Sequence, residues 1–263
     1  MADTEGYQAM KNGVLEQATF INQSVARGMR FLFLGVLFAA GIAAERIGLV
    51  AYLSDPWERE YVLFLARQHL YLVVVSMILA LATGLAAGII VSRKRFRKYA
   101  GIVMYVIGLG QTIPSLAVLA LTMSFLGIGS KPAILALFIY STLPIARNTL
   151  AGIMAVSPAI IDAAKGVGMS PKRILIEVEL PNALNVIITG VRISLVINIG
   201  TAALGYLIGA GGLGDLIFTG INLMRTELLL AGALPVIILA LIGDYLIELL
   251  GIVIVPKGIR MTA

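Results

Sequence analysis

The sequence predicts an all-α integral membrane protein with about six transmembrane helices, on three observations. Of its 263 residues, 59% are hydrophobic and 13% charged, whereas soluble domains carry about a quarter charged residues. Apolar runs long enough to cross a hydrocarbon core of about 30 Å, which takes about 20 residues per helix, recur along the chain. The basic residues gather in short stretches between those runs, as the positive-inside rule expects of cytoplasmic loops. The formal charge of +6 therefore reads as topology within a lipid bilayer, and nucleic acid is not expected as a partner.

Residues 1–30 read as a polar cytoplasmic segment, with Lys11, Glu16 and Arg27 spaced along it as in a short interfacial helix or a loose tail. Residues 31–263 form one transmembrane domain. Its first span, 31–53, is interrupted by Glu45 and Arg46, and the long polar leader argues against a cleaved signal. Residues 54–60, with Asp55, Pro56 and Trp57, read as an exterior loop beside an aromatic belt of Tyr52, Trp57 and Tyr61. The second span, 69–92, begins at His69, read as an interfacial residue. It stops at Arg93, Lys94, Arg95, Arg97 and Lys98, a cluster that belongs in the cytoplasm.

The third apolar stretch, 100–128, is too long for one straight span and holds Gln111, Thr112, Pro114 and Ser115 in its middle. Proline kinks a helix and frees carbonyls that need polar surroundings. These four residues read equally as a packed kink or as the lining of a translocation path. An exterior turn at Gly129–Pro132 leads to the fourth span, 133–151, broken at Pro144. A polar cytoplasmic stretch, 155–183, precedes the fifth span, 185–208. Gly209–Asp215 reads as a tight exterior turn, and the sixth span is 231–255. Both termini fall inside, and fourteen of the twenty Lys and Arg residues lie on the cytoplasmic side. Arg192 lies within a span. Counted at ~1.5 Å per residue, it sits at a depth similar to that of Glu248, with Asp244 one turn away on the same face. An unpaired charge in a membrane is costly, so Arg192 is expected to pair with Glu248 or Asp244, as a structural pair or a gate.

There is no cysteine and one histidine, which excludes thiolate and His-based metal sites. No phosphate-binding Gly-rich loop followed by Lys and Ser or Thr is present, and no Ser has a plausible His base. Catalytic residues, metals and cofactors are not expected in this chain. The informative polar segment is 155–183. Ser157-Pro158 looks like a helix start, Gly168 a stop, and Ser170-Pro171 a second start. Two short helices would lie along the cytoplasmic face, with Ala163 and Ala164 small enough to enter a cleft on another protein.

This segment resembles the EAA loop of binding-protein-dependent ABC importers, whose pattern is Glu-Ala-Ala, three residues, Gly, nine residues and Ile-x-Leu-Pro. Asp162 stands for the Glu before Ala163 and Ala164, Gly168 falls at the glycine, and Val178-Glu179-Leu180-Pro181 forms the ending. The resemblance extends over about residues 70–255. In Gln111–Leu116, Leu143–Thr149 and Ile208–Asp215 it is closest to osmoprotectant permeases of the glycine betaine, choline and carnitine type. It implies a methionine-importer-like type I ABC permease fold in a bacterial inner membrane. By the same resemblance, Asp162, Ala163, Ala164, Lys165, Gly166, Gly168, Met169, Leu180 and Pro181 couple the chain to its ATPase. The implied partners are two ATPase subunits that hold ATP and Mg, a second permease subunit, identical or homologous, and a periplasmic or lipid-anchored binding protein. Two alternatives stay open: a permease for an amino acid or another small solute, or an ATP-independent transporter using Asp244 and Glu248, the only deep carboxylates.

Overall fold

The computed structural model describes residues 41–42 and 44–255. The 1–30 segment, most of the expected first span and the basic residues Lys257 and Arg260 lie outside the described residues. The chain divides between Tyr52 and Leu53 into two units. In the first, Gly48 takes a left-handed backbone at φ +81°, and helix α1 (Leu49–Ser54) starts just beyond it. The interruption expected at Glu45 and Arg46 in the 31–53 span is followed by this turn at Gly48.

In the second unit, α2 (Pro56–Ser92) runs for 37 residues, about 55 Å at helical rise. The expected exterior loop at 54–60 is largely its first turn, so the second span begins well before His69. The Asp55 carboxylate accepts from Trp57 N at 2.8 Å and Glu58 N at 3.4 Å, and Pro56 occupies the first turn, where its missing N–H costs nothing. Charged and aromatic composition disguised a capped start. A 3₁₀ turn (Arg97–Tyr99) leads to α3 (Ala100–Thr112) and α4 (Ser115–Leu126). These two helices meet at 96°, so the expected kinked third span is a sharply broken pair. The fourth span is α5 (Ser130–Met154).

Then come α6 (Pro158–Gly166), α7 (Pro171–Ile174), a π-turn (Leu175–Glu179) and α8 (Leu180–Ala202). A 3₁₀ segment (Ala203–Ile208), α9 (Gly214–Asn222) and α10 (Thr226–Ile254) complete the described chain. Four helical stretches are long and apolar enough to span a membrane, α2, α5, the run Pro171–Ile208 and α10, and the bent pair makes a fifth. The expected sixth, 31–53, falls mostly outside the described residues.

Helix α5 is central, packing against α2, α8, α3 and α4, while α10 packs on α8 and α9. Gly88 lets α2 and α5 touch, since a Cβ there would lie 2.6 Å from the Thr149 Cβ. An apolar core of Leu72, Val73, Leu119, Leu137 and Ile199 is laced by a buried polar seam. Asn198 Nδ2 donates to Ser76 Oγ at 2.9 Å and to Ser141 Oγ at 2.6 Å, and Ser194 Oγ donates to the Ser141 carbonyl at 2.5 Å. Hydrogen bonds of this kind fix helix register inside a membrane bundle. His69, expected at the interface, is fully buried beside this seam, with Nε2 2.9 Å from the Ile199 carbonyl oxygen.

The glycine-rich stretch is a close-packed corner more than a free turn. Gly212 N donates to Gln68 Oε1 at 3.1 Å and Tyr61 OH to Asp215 Oδ2 at 3.2 Å. A Cβ on Gly214 would lie 1.8 Å from the Ala203 carbonyl oxygen, so only glycine lets α9 start against the preceding segment.

Candidate functional site

The polar segment after α5 is built from local signals. Pro158 opens α6 behind Ser157, although the Ser157 side chain makes no capping hydrogen bond. The end of α6 is a Schellman closure: Gly168 N donates to the Lys165 carbonyl at 2.9 Å and Met169 N to the Ala164 carbonyl at 3.1 Å. This geometry requires a left-handed residue, and Gly168 supplies it at φ +82°. Ser170 Oγ accepts from Arg173 N at 3.4 Å, and Pro171 starts α7.

Helix α6 has two distinct sides. Ala164 is buried toward the bundle. Ile160, Ala163 and Val167, spaced i, i+3 and i+7, form one stripe and are exposed, Val167 at 79%. Lys165 Nζ reaches Asp162 Oδ1 at 2.7 Å, and this hydrogen bond, with the lysine's charge and a smaller contribution from Lys94, holds the Asp162 carboxyl below its ordinary pKa.

The second expected short helix is corrected, because α7 continues through the π-turn into α8 without a break. A π-turn leaves carbonyls misaligned, and Asn182 Nδ2 answers one by donating to the Val178 carbonyl at 2.7 Å. Leu180 and Pro181 thus belong to the first turn of α8, where Leu180 packs near Ile153 and Ala183. They lie beyond the loop in which the sequence places them. Arg173 pairs with Glu177 at 2.8 Å, which raises the arginine pKa through the hydrogen bond and the carboxylate charge.

Two further residues belong to this site and escaped sequence reasoning. Arg93 Nη2, at the end of α2, meets Glu179 Oε2 at 2.5 Å, and Glu179 is buried. The pair clamps the cytoplasmic end of α2 to the base of α8. Only the position of Arg93 at the head of the basic cluster hinted at it.

The other expected residues lie elsewhere. At the break between α3 and α4, Gln111 Nε2 donates to the Tyr140 carbonyl at 2.7 Å and Thr112 Oγ1 to the Leu109 carbonyl at 2.8 Å. The Tyr140 hydroxyl donates to the Ile113 carbonyl. The Leu109 and Ile113 carbonyls at the break thus find partners, as does the Tyr140 carbonyl that Pro144 leaves without its helical N–H, while Thr112, Ile113 and Pro114 remain exposed and Ser115 half-buried. Between α8 and α10, Arg192 Nε and Nη2 donate to Asp244 Oδ1 and Oδ2, each at 2.7 Å, with both side chains about one-third exposed. Arg192 Nη2 also lies 2.9 Å from Glu248 Oε2, so both expected carboxylates engage the one guanidinium.

A bundle of apolar helices, several long enough to span a membrane, thus carries a capped helix with one exposed apolar stripe between two of its spans. Residues 84–251 match the family model of the binding-protein-dependent transport system inner membrane component, and the chain belongs to that family of ABC-importer permeases. It is 45% identical over 193 residues to the carnitine transport permease protein OpuCB of Listeria monocytogenes, covering 73% of this chain and 88% of that one. It is 48% identical over 189 residues to the osmoprotectant import permease protein OsmY of Salmonella typhimurium, covering 72% and 80%. Among solved structures, the inward-facing MetNI methionine ABC transporter superposes with a TM-score of 0.65 at 23% identity, over 80% of this chain and 99% of that one. That likeness identifies the methionine-importer-like fold.

Proposed function

We propose that this chain forms the membrane path of an importer for osmoprotectants of the quaternary-amine class, such as glycine betaine, choline or carnitine, powered by ATP hydrolysis in a separate subunit. The observation that carries the coupling is the bare Ile160–Ala163–Val167 stripe, presented by a helix whose end is fixed at Gly168. A side chain at Gly166 would meet nothing of this chain within 4 Å, so a demand for glycine there would come from the ATPase. The cargo rests on relatives named for carnitine and osmoprotectants. In this reading both termini are cytoplasmic, two ATPase subunits bind ATP and Mg, and a second permease, identical or homologous, completes the path. A periplasmic or lipid-anchored protein delivers the solute, and the exposed break at Thr112–Pro114 lines its route.

Copurification from membranes tests the coupling. Gly168→Asp and Gly166→Leu should leave the permease folded and strip it of ATPase, whereas full retention of the ATPase by both would overturn the docking assignment. Uptake of labelled betaine, choline, carnitine, methionine and histidine by cells carrying the whole transporter tests the cargo. Uptake confined to the amino acids would overturn the quaternary-amine reading.

A further inference from the structure

A cavity of about 600 Å³ opens between the cytoplasmic end of α2 and the inner side of α6. Its walls are largely apolar, with Ile153, Val156, Ile161, Met169 and Ile174 among them. Its charged lining is Arg93, Lys94, Arg97 and Lys165 against Asp162 and Glu179, four cations to two anions. Arg93 is neutralised by Glu179 and Lys165 by Asp162. Lys94 and Arg97 have no ion pair among the described residues, and both are exposed at the rim.

Helix α6 turns Pro158, Ile161, Asp162 and Lys165 toward this space, a stripe at i, i+3, i+4 and i+7. The Ile160–Ala163–Val167 stripe points the opposite way. The bare stripe and the cavity are therefore on two sides of the same helix, and Asp162, Lys165 and Met169, expected to couple to the ATPase, line the cavity. The cavity begins at the end of α2, at Ser92. Basic pockets between spanning helices at the cytoplasmic leaflet suit anionic lipid headgroups, and apolar walls beneath suit the top of an acyl chain.

We infer that this cavity binds a phosphate-bearing anion, with the phosphate at Lys94 and Arg97 and, given the apolar walls, an anionic phospholipid as its source. The occupant would support α6 from behind and so link the lipid composition of the inner leaflet to the docking of the ATPase. The inference rests on the cytoplasmic placement of this face in the function proposed above. Because the chain lacks cysteine, Lys94→Cys labelled with an impermeant maleimide tests that placement separately. Labelling from the exterior would overturn the topology.

The site itself is tested on the whole transporter in nanodiscs of mixed phosphatidylglycerol and phosphatidylcholine, with retained lipid counted by native mass spectrometry. The wild type should hold phosphatidylglycerol in preference to phosphatidylcholine. K94Q/R97Q should weaken that retention about 30-fold, at about fivefold per cation, while the charge-keeping K94R/R97K retains it. Equal retention by wild type and K94Q/R97Q would overturn the site. Displacement of the lipid by millimolar inorganic phosphate would uphold the anion site and overturn the lipid as its source.

Discussion

Charge is handled in opposite ways by the cytoplasmic segment and by the bundle above it. On the segment, Lys165–Asp162 and Arg173–Glu177 are neighbours three and four residues apart, with all four side chains about half exposed or more. In the bundle, Arg192 reaches across 52 residues of chain to fork onto Asp244 and also touches Glu248. Water solvates either member of a surface pair when the other is lost, and such pairs add little. A membrane interior offers no such substitute. The first arrangement trims an exposed surface, whereas the second joins two helices of the bundle.

Arg192→Leu is the strongest way to break this comparison. It leaves two carboxylates unpaired in the bundle, and folded permease recovered from membranes should fall to background. Arg192→Lys should rescue only in part, because a single ammonium cannot reproduce the bidentate fork. Recovery of both variants at wild-type levels would show that the triad sits in water. Arg93→Ala comes next. It strands a buried Glu179, but Arg93 is itself 30% exposed, so the loss should be about 2 kcal/mol, below the 3–5 kcal/mol of a fully buried pair. Thermal unfolding of the purified permease reads it.

The smallest effects belong to the surface pairs. Arg173→Ala should leave the unfolding midpoint unchanged within error, and a clear drop would mean that the segment bears load. For Asp162 the sign follows from its depressed pKa. Its pairing contributes fully above the ordinary carboxylate value near pH 4 and is lost as pH falls through the lower folded value. Asp162→Asn should therefore unfold like the wild type in the most acidic samples and differ slightly, if at all, near neutrality.

What was legible in the sequence was what depends on neighbours along the chain. Proline after serine, glycine at the end of α6 and basic residues after an apolar run are each decided within a few residues. The break at Pro114 was legible as a kink, but its angle was not, because Gln111 and Tyr140 settle it across two helices. The Arg192 pairing could be anticipated because cost forbids a lone charge and depth limits its partners. The clamp between Arg93 and Glu179, the burial of His69 and the cavity behind α6 join residues 60 to 130 positions apart, and no local pattern marks them. The starts of α2 and α9 were missed for another reason. Charge in one case and glycine in the other imitate loops, until a cap or a close contact is seen to require them.

The π-turn at Leu175–Glu179 makes α7 and α8 one rod with a change of phase. The extra residue in such a turn rotates everything before it by about 100° relative to an unbroken α-helix. Deleting one residue from the turn would swing α7 and the closure at Gly168 around the axis of α8. The direction in which α7 leaves α8 is stored there as an angle, in the same turn whose Glu179 is held by Arg93.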